Sequence, residues 1–258
     1  MWLDVVDLRD FYASPLGQVA RRLVRRRLRR VWPDVRGLRV LGVGFATPFL
    51  RPFMNEAERV AAVMPASQGV LSWPDDAPGL VALSEDTVLP FPDRSFDRIV
   101  LVHSLEQCER SRALMREVWR VLTDGGRLIV VAPNRQGLWA RLERTPFASG
   151  RPYSRNQLRG TLRDTLFTPL RTEGALFLPP VNARLIQAWA GPLEEVGARW
   201  FPHFCGVVLV EAAKQIYAAP RDGLRVRKAY LPLPERLRLR TGARRPTAAG
   251  YPRGRDSQ

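Results

Sequence analysis

The segment "LRVLGVGFATP", Leu38 to Pro48, constrains this chain more than any other stretch. Its first half is an unbroken apolar run, the mark of a strand buried on both faces, as in the centre of a parallel sheet. It ends in Gly42-x-Gly44, and glycine lets backbone approach a ligand because it has no Cβ. Three more runs of this kind follow, "RVAAVM" (59–64), "LVALSE" (80–85) and "FDRIVLVHS" (96–104). The stretch 109–122, "ERSRALMREVWRVL", reads as a helix with Leu114, Val118, Val121 and Leu122 on one side, ended by Asp124-Gly125-Gly126. "RLIVVAP" (127–133) is a fifth strand, and the alternation of strands and helices predicts an α/β parallel sheet.

Later segments are less regular. Ser154 with Gln157 is a capping-box pattern opening a helix to about 166, "TEGALFL" (172–178) is a strand candidate, 182–198 reads as a helix, and "CGVVLVEAAKQIY" (205–217) closes the sheet. Upstream, Ser14-Pro15 is an N-cap followed by Pro at the first helical position. Leu16, Val19, Ala20, Leu23, Val24, Leu28 and Val31 then recur at helical spacing, predicting an amphipathic helix over 15–31. Its other face carries Arg21, Arg22, Arg25, Arg26, Arg29 and Arg30: a stripe for an anionic membrane or RNA, or a solvated face, the reading favoured here because only Trp32 supplies a bulky aromatic. The expected division is a basic helical extension (1–36), a main domain (37–218) and a basic tail (219–258) rich in Pro, Gly and Arg.

Charge narrows the function. The formal net charge is +16, and 39 of the 41 basic residues are arginines. Residues 1–36 hold nine arginines against four aspartates and residues 219–258 eleven basic groups against three acidic, whereas the middle holds 21 against 18. A polynucleotide enzyme concentrates basic surface around its cleft, so a near-neutral middle argues against nucleic acid as substrate. The basic ends leave a protein partner or peripheral membrane contact open. No apolar run reaches the roughly 20 residues of a membrane span. "MWLDVVDLRDFY" has three aspartates and no basic n-region, so a cytoplasmic protein without a signal peptide is expected. Cys108 and Cys205, without neighbouring metal-ligating residues, read as buried thiols; no metal site is expected.

The run from Glu85 to Asn134 carries a sharper signal. "LPFPDRSFD" (Leu89 to Asp97), a strand, a helix ending "EVWRVLTDGGRL" (Glu117 to Leu128) and a strand closing in Pro133 follow in order. This resembles the type 11 family of class I S-adenosylmethionine-dependent methyltransferases. The resemblance implies a Rossmann-like, seven-stranded, mostly parallel sheet with helices on both faces and an antiparallel last strand. It also implies S-adenosylmethionine as cofactor, bound by Gly42, Val43, Gly44, Phe45 and Ala46 at the first turn, Met64 after the second strand, Glu85 or Asp86 after the third, and His103 after the fourth.

The chain departs from the family at two acids. Relatives read "VLDxGxGxG" at the first strand, which sets Gly42 on the acid, Gly44 on the first glycine, Ala46 on the second and Pro48 on the third. Losing the carboxylate that supports the cofactor's amino-acid end costs about 1–3 kcal/mol of binding unless another group compensates. The second strand ends Met64-Pro65-Ala66-Ser67, without the acid that takes the ribose hydroxyls; Met64 can only pack. Imidazole as a side-chain type suits general-base work, and His103 is the candidate catalytic residue, against the alternative of packing. Glu106, Asn134 and Arg135 are expected on the substrate rim, while Trp139 is expected to pack inward and His203 to be structural.

Two functions follow: methyl transfer to a small-molecule acceptor, or a catalytically silent methyltransferase fold serving as a binding or scaffold subunit. A nicotinamide-dependent dehydrogenase fits poorly, because G-x-G-x-x-G fails at Thr47. Restoring the family turn by Gly42→Asp with Ala46→Gly is expected to tighten cofactor binding.

Overall fold

The computed structural model describes residues 4–142, 145–181 and 190–216. Residues 1–217 form one compact unit; the second, Ala218–Gln258, and with it the basic tail, lies outside the described residues.

Seven strands, β1 (Arg39–Gly44), β2 (Arg59–Pro65), β3 (Val81–Ser84), β4 (Phe96–Val102), β5 (Leu122–Pro133), β6 (Phe167–Ala175) and β7 (Val207–Lys214), form one sheet in the order β3-β2-β1-β4-β5-β7-β6. β1 to β5 pair in parallel, and β7 runs antiparallel between β5 and β6. This is the Rossmann-like sheet with an antiparallel last strand that the sequence predicts. β1 lies at its centre, with Leu41 beside Ala61 of β2 and Ile99 of β4. Because side chains alternate faces along a strand, neighbouring residues of β1 belong to different cores. Val40 packs with Val100, Ile129 and Val131 on one face; Leu41 and Val43 pack with Ile99, Leu101 and Val130 on the other.

The first face is covered by α1 (Val5–Ala13) and α2 (Pro15–Val31). Asp4 caps α1 by accepting from the Val6 amide, and Ser14 caps α2 by accepting from the Gly17 amide at 3.1 Å. Leu8, Ala20 and Leu28 are fully buried in the same core as the strands, so both helices are integral to this unit. Arg27 enters that core too, 3.6 Å from Glu173 and 3.7 Å from Glu194. Arg22, Arg26 and Arg30 are solvated, as a polar helix face requires. The second face is covered by α4 (Ser111–Val121) and α5 (Arg155–Asp164), through Leu114, Val118, Leu158 and Leu162. α3 (Thr47–Leu50) is a single turn after β1, and α6 (Ala190–Trp200) covers part of the predicted 182–198 helix, whose residues 182–189 lie outside the described set. The Ser154–Gln157 capping box is formed on both sides.

Two strands begin earlier than expected. β5 starts at Leu122, five residues before the predicted 127, and passes through Gly125 and Gly126 after an irregularity opposite Phe96 and Arg98. β6 starts at Phe167 where 172 was predicted; it is the edge strand, and its Pro169 sits where the register shifts, a place that tolerates a missing amide.

The two halves of the "LPFPDRSFD…EVWRVL" pattern are physically joined. Glu117 accepts from the Leu89 amide at 2.9 Å, and Arg120 donates to the carbonyls of Leu89 (3.0 Å) and Phe91 (2.8 Å) and to Asp93 (2.8 Å). Glu117 and Arg120 also pair at 2.7 Å. Asp97 accepts from the Arg39 amide and guanidinium, each at 3.0 Å, anchoring the start of β4 to β1. The Arg120 guanidinium, with the Leu89 amide, holds the Glu117 carboxyl below the usual range.

A carboxyl whose folded pKa is depressed contributes stability that is present above its unfolded pKa, about 4.3, and is lost as pH falls through the folded value. Glu117→Gln should therefore cost about 1–3 kcal/mol near pH 6 and much less near pH 3. Urea midpoints at the two pH values check this; an equal loss at both contradicts it.

Candidate cofactor and acceptor site

In a parallel α/β sheet the ligand crevice lies at the carboxyl ends of the strands, where the order reverses, here between β1 and β4. Gly44 ends β1 with φ +81°, and a Cβ there would lie 2.3 Å from the Val102 carbonyl oxygen and 2.7 Å from Ser104 Cβ. Glycine is thus required by conformation and by contact. Gly42 is tight for another reason: its Cβ would meet Leu50 Cδ1 at 2.6 Å and Ala46 Cβ at 2.7 Å. Ala46→Gly relieves one of these contacts, and the other is with the end of the Leu50 side chain, which has to shift to admit an aspartate at 42. The tightening expected of Gly42→Asp with Ala46→Gly therefore depends on Leu50 repacking. Val43, Phe45 and Ala46 are buried, and Phe45 stacks on Tyr12 of α1 with centroids 5.8 Å apart and planes 16° from parallel.

Past the end of β4 the chain turns sharply: His103 has φ +51°, an uncommon conformation for a side-chain-bearing residue that concentrates at functional sites. His103 and Glu106 are each 1% exposed. His103 Nε2 is 2.8 Å from the Tyr12 hydroxyl, and its Nδ1 is 3.3 Å from Glu106 Oε1 without hydrogen-bond geometry. Gln68, after β2, donates to the His103 carbonyl at 2.6 Å. The polar atoms His103 Nδ1, Ser104 Oγ, both Glu106 carboxylate oxygens and Gln107 Nε2 are all buried without a hydrogen-bond partner. Such atoms are costly to bury and rare, so five of them in one turn of chain mark a place built for something polar. Burial, and then the Glu106 charge, raise the Tyr12 phenol well above its ordinary pKa, so its hydroxyl keeps its proton.

The remaining sequence candidates fall differently. Met64 is buried at the end of β2. Glu85 is exposed beyond β3, while Asp86 is half-buried; burial, opposed by a hydrogen bond from the Cys108 thiol, raises the Asp86 carboxyl. Asn134, expected on the rim, is 1% exposed and spends its amide on the His203 and Cys205 carbonyls at 2.8 and 2.7 Å, joining β5 to the entry of β7. Its role is thus corrected to a tie within the fold. Arg135 is exposed. Trp139 packs inward and donates to the Leu178 carbonyl, and both cysteines are buried and free. Tyr12 was not among the residues the sequence singled out. Its signal was present, since Asp4 caps a helix in which Val5, Leu8 and Tyr12 share a face.

Comparison with known proteins agrees with this geometry. Residues 41–130 match the family model described as a methyltransferase domain. The chain is similar to an S-adenosylmethionine-dependent methyltransferase, a possible histamine N-methyltransferase, from Thermotoga maritima, with 17% identity, TM-score 0.57, 82% of this chain and 96% of that one covered. It is similar to a methyltransferase from Aquifex aeolicus (15% identity, TM-score 0.54, 81% and 98% covered). It also resembles the Burkholderia thailandensis 1,6-didemethyltoxoflavin-N1-methyltransferase, whose structure holds that compound and S-adenosylhomocysteine (16%, 0.51, 82% and 84%). No curated protein matches. Residues 41–130 thus match a methyltransferase domain, the fold is that of the class I methyltransferases, and S-adenosylmethionine is the cofactor that this match implies.

The residues fit that cofactor on the β4 side. A buried carboxylate without partners suits a ligand bearing an ammonium group, whereas the conventional acid positions on β1 and β2 hold Gly42 and the Met64-Pro65-Ala66 turn. Among the described residues no helix is long and apolar enough to cross a membrane.

Tyr12→Phe removes the one partner of a buried imidazole nitrogen and should cost about 1–3 kcal/mol. Chemical denaturation checks it; an unchanged midpoint would show that His103 Nε2 gains nothing from the phenol.

Proposed function

We propose that this chain transfers a methyl group from S-adenosylmethionine to a small or medium-sized acceptor. The observation that carries the reading is the partnerless buried polar set at the end of β4, with Glu106 at its centre. Glu106 takes the place of the missing β1 acid as the counter-charge for the cofactor's amino-acid end. The Gly44 turn lets backbone approach, and Asp86, half-buried where Glu85 is exposed, is the better-placed acid for the adenine side. The cofactor supplies a methyl group already activated on a sulfonium, so alignment does most of the work and the protein's task is to hold both partners and exclude water.

His103 orients the site. Its Nε2 is engaged by Tyr12 and its Nδ1 lies near Glu106 without a hydrogen bond, so Nε2 is open to a proton only when Tyr12 withdraws. An acceptor that need not lose a proton before attack suits such a site. The solved structure of a Haloferax volcanii methyltransferase with its Trm112 activator, similar in fold at 14% identity and TM-score 0.55, gives a precedent for a protein partner on this fold. The arginine-rich ends of this chain are where a partner would be gripped.

Calorimetric titration with S-adenosylmethionine and S-adenosylhomocysteine tests the reading, and no heat at millimolar ligand would favour a silent binding subunit instead. Glu106→Gln separates ligand binding from stability. Removing an unpaired buried charge should raise the unfolding midpoint, while affinity for S-adenosylhomocysteine drops tenfold or more, about 1.4 kcal/mol. Undiminished affinity in that variant would assign the counter-charge elsewhere.

A further inference from the structure

Beside Tyr12 lies a cleft of about 480 Å³, lined by α1 and α2 and by the segments after β1 and β2. Four arginines line it, Arg9, Arg21, Arg25 and Arg51, against a single carboxylate, Asp75. Flat rings complete the lining: Tyr12, Phe45 and Trp73. We propose that this cleft binds a small phosphorylated molecule carrying a planar ring, the phosphate on Arg21, Arg25 and Arg51 and the ring against the aromatic residues.

The charge pattern is the first argument. Several partly buried arginines elsewhere are matched, Arg27 with Glu173 and Glu194, Arg29 with Glu56, Arg39 with Asp97 and Arg120 with Glu117, whereas Arg98, Arg155 and Arg159 pair with no carboxylate among the described residues; in this cleft unmatched arginines converge. Arg21 and Arg25 pair with no carboxylate among the described residues, and Arg51 reaches only the exposed Asp76 at 3.5 Å. Arg25 is half-buried and fixed by its Nε donating to the Pro48 carbonyl, which ties the guanidinium to the turn after β1. Burial, and then the charges of Arg21 and Arg51, push its pKa down to about 10. The fold therefore holds like charges together against their repulsion, an arrangement an anion relieves.

Ligand class follows from chemistry and size. Guanidinium groups match phosphate oxygens in a forked geometry, and several converging arginines suit a group that carries more than one negative charge. The volume lies in the range of small-molecule sites, which favours a free metabolite over a membrane surface or a polynucleotide. Trp73, partly exposed in the lining, supplies a face for a ring, with the buried Tyr12–Phe45 stack beside it. Tyr12 belongs to both sites, its ring in this cleft and its hydroxyl on His103, so a ligand here touches the residue that covers the end of β4.

The test uses the full chain and 4-nitrophenyl phosphate, with 4-nitrophenol as the ring without the anion and pyrophosphate as the anion without the ring. In calorimetry 4-nitrophenyl phosphate should bind at least tenfold more tightly than 4-nitrophenol, and pyrophosphate should compete with it. Arg51→Gln, at an exposed position that leaves the core untouched, and Arg25→Gln should each weaken binding tenfold or more. Arg22→Gln, on the solvated face of α2, should leave it unchanged. Equal affinity for the two aromatic probes, no binding of the phosphate, or an equal loss in Arg22→Gln would overturn the proposal. Phosphate binding needs no S-adenosylmethionine, so parallel titrations with S-adenosylhomocysteine keep this result distinct from the methyltransferase reading.

Discussion

The end of β1 packs tightly against the end of β4, and the rest of the site is arranged around this contact. Gly44 lies so near the Val102 carbonyl and Ser104 that any side chain would force the two strands apart. With the strands in register from Val40 beside Arg98 to Gly44 beside Val102, the chain leaving β4 has to turn at once, and it does so through His103 in a left-handed conformation. That turn carries Ser104, Glu106 and Gln107 inward instead of toward water, which is why their polar atoms lack partners. The tight approach at Gly44 and the left-handed turn at His103 thus stand directly before the buried polar set.

What covers this set is the N-terminal pair of helices. α1 and α2 bury Leu8, Leu23 and Leu28 against the sheet, so the chain before β1 is part of the core. α1 lies across the carboxyl ends of the strands because Val5 donates its amide to the Gln68 carbonyl while Gln68 donates to His103. Tyr12 closes the same corner from above. A covered site suits methyl transfer, in which water must be kept from a reactive sulfonium. It also means that ligand entry requires α1 or the segment after β2 to move.

How much of this was legible follows from which physical signals are local. The five parallel strands were readable because strands buried on both faces are continuous apolar runs, and their helices because the period changes. The pairing of "LPFPD" with "EVWRVL" was visible as a pattern, and the Glu117–Arg120 clamp explains it. The start of β6 was hidden because "FTPLRT" is an edge segment with a proline and an arginine, which has little apolar signal of its own. The missed part of the site was Tyr12, for which two things were needed at once: a short helix opened by Asp4, and a fold that lays this helix over β4. The second is a tertiary fact, and no window around residue 12 contains it.

The absent acid at the start of the glycine turn is best understood through Leu50. In the usual turn the residue at position 42 carries a carboxylate, which needs open space; here α3 follows immediately, and Leu50 packs where that side chain would begin. Pro48 fixes the backbone of this helical turn and Phe49 and Leu50 fill the core beneath it, so the turn after β1 is held by apolar packing. In a turn built this way an acid at 42 requires Leu50, which also supports the core, to repack. The charge complementary to a cationic cofactor must then come from a neighbouring strand end. β4 is adjacent, and Glu106 there is buried, ionisable and without a hydrogen-bond partner. On the proposed reading, the loss on β1 and the unpartnered carboxylate after β4 are two sides of one rearrangement.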